Sequence, residues 1–313
     1  MYRPRAILTL VALAAVRAGA QAAPVSRAAA VEAALARGPR LALAAADTSV
    51  ARGLLLSARA FPNPDLTASY TEDTPQYHVG FDLPVDYPWL RSTRVRAAEA
   101  TRTSALHRFT LERAAAALDA DTLYTLALAG RARTDISARN ARAADSLYRI
   151  VVARRDAGDV STLDVEVASL YSGEQANAAA ADSLDFLTTV LSLQAVMGLP
   201  TDSVRIALAD SLTPPAAGAT TAPVGTPLGI ASAEAAVEAA DLLARLERRN
   251  VWAPPGLSLG FDTRDPGGHE NKLLPAIGIT LPLPLLNRNS GPIALADAER
   301  ARARAELALA QAE

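Results

Sequence analysis

Strict alternation of apolar with small or polar residues marks short segments of the chain. Tyr77, Val79, Phe81, Leu83 and Val85 fall on one side of an extended strand, with His78, Gly80, Asp82 and Pro84 on the other. Ile277, Ile279, Leu281 and Leu283 repeat the scheme opposite Gly278, Thr280 and Pro282. With their partners they predict two hairpins, about 65–72 with 77–85 and about 256–263 with 274–283. The turns contain Asp73-Thr74-Pro75 and Asp265-Pro266-Gly267-Gly268. A soluble β-sandwich shows the same alternation. Strands of about nine residues also match the length that crosses a membrane when tilted.

The rest of the pattern is helical. An alanine-rich stretch from Ser26 to Ala60, broken around Gly38-Pro39, precedes the first hairpin, and Ser232–Asn250, with Ser232 as cap, precedes the second. From Trp89 to Leu199 there is no proline, and from Ser92 to Ala157 only Gly130 interrupts good helix formers. A helix of about 65 residues reaches about 100 Å at 1.5 Å per residue. Ala157-Gly158-Asp159-Val160-Ser161 supplies a glycine turn and a new N-cap, so a return helix runs to about Gly198, completing a helical hairpin. That helix carries two apolar seams, one with Leu163, Val167, Leu170, Ala181, Leu184 and Leu191, the other with Phe186, Val190, Leu193 and Met197. Glu174, Asn177 and Thr188 interrupt the first seam, which suits a helix with neighbours on both sides. Residues 200–228, rich in Pro, Gly, Ala and Thr, read as a connector with a short helix at 202–211.

The two halves resemble each other. At an offset of 198 residues, Val79-Gly80-Phe81-Asp82-Leu83-Pro84 pairs with Ile277-Gly278-Ile279-Thr280-Leu281-Pro282, and Val95, Ala98, Glu99 and Ala100 fall on Ile293, Ala296, Asp297 and Ala298. Upstream, Asn63–Thr67 matches Pro254–Ser258 at an offset of 191. The unit is helix, strand, strand, long helix, written twice. The division is a signal at 1–22, a first repeat at 23–199, the connector at 200–228 and a second repeat at 229–313. The second long helix begins near Gly291 and the sequence stops at Glu313, without a return helix; projecting the first repeat gives about 400 residues. The second hairpin is incomplete.

Composition narrows the function. Arg3 and Arg5 precede an apolar run from Ala6 to Val16, and Ala18-Gly19-Ala20 or Ala20-Gln21-Ala22 offers small residues for cleavage, the form of a secretory signal. Its removal takes three arginines and no acid, shifting the formal charge from -2 to -5. No basic field for nucleic acid exists. The absence of cysteine excludes disulfides, thiolate metal sites and a lipidated N-terminal cysteine. Aromatics make up only 4% against an alanine-rich half, so helices approach closely instead of enclosing a bulky core. His78, His107 and His269 stand apart, no phosphate loop or metal-spaced cluster occurs, and His269-Glu270 reads as a solvated loop pair. Neither an enzyme nor a cofactor site is indicated.

The signal, the duplicated unit, the turn "ARRDAGDVSTLDVEVA" at 153–168 and the block "GITLPLPLLNRNSGPIALADAE" at 278–299 resemble the TolC family of outer-membrane efflux proteins. The run from Pro282 to Asn289 is similar to the heavy-metal efflux branch. The resemblance implies a mainly α protein with membrane strands: a homotrimer closing a 12-stranded barrel in the outer membrane, continued by a periplasmic helical barrel. It implies a passive conduit working with a periplasmic adaptor protein and an inner-membrane pump. Val79, Phe81, Leu83, Leu257, Leu259, Ile277, Ile279 and Leu281 then face lipid. Pro84, Pro88, Pro282 and Pro284 mark strand-to-helix transitions. Arg154, Arg155, Gly158, Val160 and Ser161 form the adaptor-contacting tip. A periplasmic coiled-coil adaptor or structural protein with a soluble β-domain fits the same signal, hairpin and strands, but does not call for a duplication.

Overall fold

The structure, a computed structural model, describes residues 23–73, 76–213, 225–252, 254–263 and 274–312. The signal segment, His269-Glu270 and the second hairpin turn lie outside these residues. By packing, the chain divides into two units, residues up to Pro39 with Ala116–Ala217, and Arg40–Ala115 with Gly218–Glu313. Among the described residues, alanine dominates burial in the second unit and shares it with larger residues such as Tyr124, Leu128, Val190 and Leu193 in the first.

In the first unit, β1 (Ala23–Val25) pairs in parallel with β4 (Ile206–Leu208). Alongside are α1 (Arg27–Arg37), the later part of α3 (Pro88–Asp156) and α4 (Thr162–Val196). The short helix expected at 202–211 is therefore a strand. Buried Gln194 accounts for it, accepting the Arg205 N–H and donating to the Pro200 and Ser203 carbonyls, which holds the connector extended beside β1. Of the two seams on α4, Val190, Leu193 and Met197 are buried with Tyr124, Ala127 and Leu128 of α3, while Leu163, Val167, Leu170 and Leu184 are exposed. The Tyr124 hydroxyl donates to Val25 O and accepts from the Asp210 N–H; burial raises its pKa. Asp210 accepts from the Arg27 N–H at 2.8 Å, which with Tyr124 holds its carboxyl below the ordinary 3.8.

The second unit holds α2 (Pro39–Arg59), the start of α3, α5 (Leu228–Arg249), α6 (Ser290–Ala312) and a sheet of β2 (Asp65–Tyr70), β3 (Tyr77–Pro84), β5 (Gly256–Thr263) and β6 (Leu274–Thr280). α5 starts at Leu228 after Pro227, ahead of the Ser232 expected as its cap. The stretch Arg27–Arg59 is long enough to cross a membrane and holds an 18-residue window apolar enough to do so by composition, with mean hydropathy 1.3. Gly38 breaks it between α1 and α2, and Arg40, Asp47 and Arg52 punctuate α2, which disfavours a span. Strand order is β2-β3-β5-β6, antiparallel throughout, so the two hairpins join through β3 and β5. β6 ends at Thr280 because Pro282 and Pro284 have no N–H to continue a ladder.

The register bears on the duplication. Thr67 pairs with Gly80 and Ser258 with Gly278, positions related by the offsets of 191 and 198. In both pairs the hydroxyl lies over the glycine so closely that a Cβ there would meet it at 2.5 and 2.4 Å. One structural couple recurs in each hairpin. α5 and α6 are tied by Arg248 to Asp297 at 2.9 Å and Arg304 to Asp241 at 3.0 Å.

Candidate functional site

Directly paired residues in an antiparallel sheet share a face, so register alone assembles the site. One face reads Leu66, Phe81, Leu259, Ile277 in one row, Ala68, Val79, Phe261, Pro275 in the next, and Leu83, Leu257, Ile279 in a third. Seven of the positions read from sequence meet here: Val79, Phe81, Leu83, Leu257, Leu259, Ile277 and Ile279. Leu281 continues the stripe one residue beyond the ladder. Leu66, Ala68, Tyr70 and Phe261 complete the face, and the alternation of β2 carries that signal. None of these side chains is buried, and Ile277 and Ile279 are 77% and 78% exposed.

The opposite face is small and polar, with rows Asp65, Asp82, Ser258, Gly278 and Thr67, Gly80, Gly260, Ala276. His78 and Asp262 pair across the two hairpins, Nδ1 to Oδ1 2.8 Å, with His78 Nε2 3.2 Å from Thr71 Oγ1. His107 is exposed on α3. Among the described residues no group of three or more His, Asp or Glu could hold a metal ion.

At the strand-to-helix ends, Pro84 closes β3 and Pro88 opens α3, where a missing N–H costs nothing. Sequence reading missed what lies between them. Nearly buried Asp86 accepts two bonds from Arg94, at 2.7 and 3.3 Å, while Arg94 and Arg91 donate to the Ala58 and Arg59 carbonyls at the end of α2. Asn289, 198 residues after Arg91, donates likewise to Glu247 O near the end of α5. Its φ of 61° was a findable signal, since Asn tolerates the left-handed region.

The tip between α3 and α4 is a built turn. Gly158 has φ +83°, its N–H reaches Arg155 O, and the Asp159 N–H reaches Arg154 O, the two bonds of a Schellman motif. Ser161 caps α4 and exchanges bonds with Asp164 in a capping box, whose hydroxyl and backbone donors lower the Asp164 pKa. Arg155 pairs with Asp156 at 2.6 Å. Gly158 and Ser161 are thus accounted for by the turn itself, leaving exposed Arg154 and half-buried Val160 as residues the turn does not require.

No protein-family model matches the sequence, and no curated protein matches it. The fold does have solved counterparts. It superposes on the transmembrane channel protein CusC with TM-score 0.65 and 14% identity, over 91% of this chain and 72% of that one. For the outer-membrane protein VceC of Vibrio cholerae the values are 0.62, 17%, 90% and 74%. For the outer-membrane channel CmeC of Campylobacter jejuni they are 0.64, 14%, 90% and 66%. The chain has the TolC-like fold of outer-membrane channels.

Proposed function

We propose that the chain is the outer-membrane component of an efflux or export system, a passive conduit from periplasm to exterior. The observation that carries this is the sheet: one continuous, exposed apolar face, with β2 and β6 at open edges. Open edges are not tolerated in lipid, and four strands are too few to close, since barrels start at about eight. Copies joined β6 to β2 close the sheet, and three give the twelve strands of a trimeric barrel. The edge helices follow the same sides, α2 leading into β2 and α6 leaving β6.

Aromatic placement supports a lipid setting. Tyr70 and Tyr77, ring centroids 5.3 Å apart, sit at the turn end of the face; Tyr87 and Trp89, stacked at 4.5 Å, and exposed Trp252 sit at the helix end. Such pairs of levels mark the two membrane–water boundaries. The eight steps from Tyr77 to Val85, at about 3.3 Å and tilted by about 40°, give roughly 20 Å, near the apolar band of about 25 Å. On this reading the small, polar face lines the lumen, the helices extend into the periplasm, and the tip around Arg154 and Val160 meets an adaptor protein linked to an inner-membrane pump.

The soluble-domain alternative needs a cover for the apolar face, and no described residue supplies one. Fractionation of cells expressing the full chain tests the choice. Recovery with the outer membrane, released only by detergent, is the expected outcome; full release in osmotic-shock fluid would refute the conduit.

A further inference from the structure

The apolar stripe of β6 does not stop where its hydrogen bonds do. Beyond Thr280, Leu281, Leu283, Leu285 and Leu286 are all exposed, Leu285 at 73% and Leu286 fully. A loop that leaves four leucines in water is costly, at roughly 1.5–3 kcal/mol per side chain left unburied. Nor is this loop loosely hung. The Leu285 N–H donates to Leu283 O, closing a three-residue turn around Pro284. At the far end Asn289 clamps back: its N–H donates to Asn287 Oδ1, its side-chain amide donates to Glu247 O and Oε2 of α5, and its carbonyl accepts from the Ile293 N–H of α6. Between these fastenings Leu285 and Leu286 are held outward.

Position fixes what they meet. Pro84, Gly256 and Thr280 are neighbours across the sheet, so the loop leaves the same end that leads to Tyr87 and Trp89 and that Trp252 enters. By the offset of 198, Leu285 stands where the first repeat has Tyr87, and Asn287 where it has Trp89. Where the first repeat has the stacked Tyr87 and Trp89, the second carries Leu285 at the position of Tyr87, with exposed Leu286 beside it and exposed Arg288 following. Trp, Tyr and Arg at such a level straddle acyl chains and headgroups.

Resting on the conduit reading, we infer that Leu285 and Leu286 insert among the phospholipid acyl chains of the periplasmic-side leaflet, with Arg288 at the phosphates, fixing the depth of the barrel. The continuity of the stripe with the lipid-facing side of the sheet favours lipid over a second copy as the occupant.

The chain has no cysteine, so Leu286→Cys gives a unique site for a bimane label, with Ile279→Cys as a mid-face reference and Leu285→Cys in reserve should Leu286→Cys fail to assemble. In vesicles of phosphatidylcholine brominated on its acyl chains, the label at 286 is expected to lose as much fluorescence as that at 279, and to resist aqueous iodide. Quenching at 286 by iodide, or by neither agent, with 279 still quenched by lipid, overturns the insertion and leaves the conduit standing. Absence of lipid quenching at 279 itself removes the conduit, and the inference with it.

Discussion

Gly158, Val160 and Ser161 sit within four residues of one another and have separate reasons to be there. Gly158 occupies a backbone conformation that costs another residue about 1 kcal/mol or more, so any substitution there disturbs the turn as well as its surface. Ser161 accepts from the Asp164 N–H in the first turn of α4. Val160 does neither, and nor does Arg154, and these two therefore separate contact from folding. Val160→Glu with Arg154→Glu is expected to abolish export while trimers still assemble and the helix content stays unchanged. Gly158→Ala should lower stability by about 1 kcal/mol with export retained. Export at the parental level in the double variant, read from drug or dye accumulation beside gel mobility of the oligomer, would remove the adaptor contact from the tip. From sequence these residues read as one motif; only the hydrogen bonds sort them.

Elements repeat the lesson at larger size. The strands were legible because a period of two, sustained over four to eight residues, leaves little choice of face. The long helix was legible because nothing in it breaks a helix except Gly130. β4 was not, since Ile206-Ala207-Leu208 is too short to show a period, and its partner β1 lies some 180 residues upstream. The buried Asp86 was equally hidden, because the carbonyls gathered around its arginines belong to a different helix. Gly130 itself has a definable role: a Cβ there would rest 3.5 Å from Phe186 of α4, ordinary contact with no room beyond. Gly130→Ala is therefore expected to be neutral or stabilising by up to about 1 kcal/mol, through helix propensity. Gly130→Leu should destabilise by about 1–3 kcal/mol as α4 is pushed away. Chemical denaturation followed by circular dichroism distinguishes the two, and equal effects would show that the helices do not meet at this point. Gly38 and Gly198 differ, because a Cβ would strike backbone oxygens at 2.3 and 2.4 Å.

For the whole molecule, the informative fact is that adjacent residues of one strand lie on opposite, chemically different faces of the sheet. Phe81 belongs to the exposed apolar face and Asp82 to the small, polar one, separated by a single peptide. If the apolar face lies in lipid, Phe81→Arg places a guanidinium near the bilayer midplane at about 2–4 kcal/mol, enough to cut outer-membrane incorporation severely. Asp82→Arg puts the same charge into the lumen, so incorporation should persist while ion conductance of the purified channel shifts toward anions. A sheet that merely faced water would accept either arginine with little change, surface substitutions being worth about ±0.5 kcal/mol. Outer-membrane yield of the two variants, measured beside the parental chain, therefore reports which medium each side of β3 meets. Equal yields would place the apolar face in water, and the closure of three sheets into one barrel would lose its physical motive.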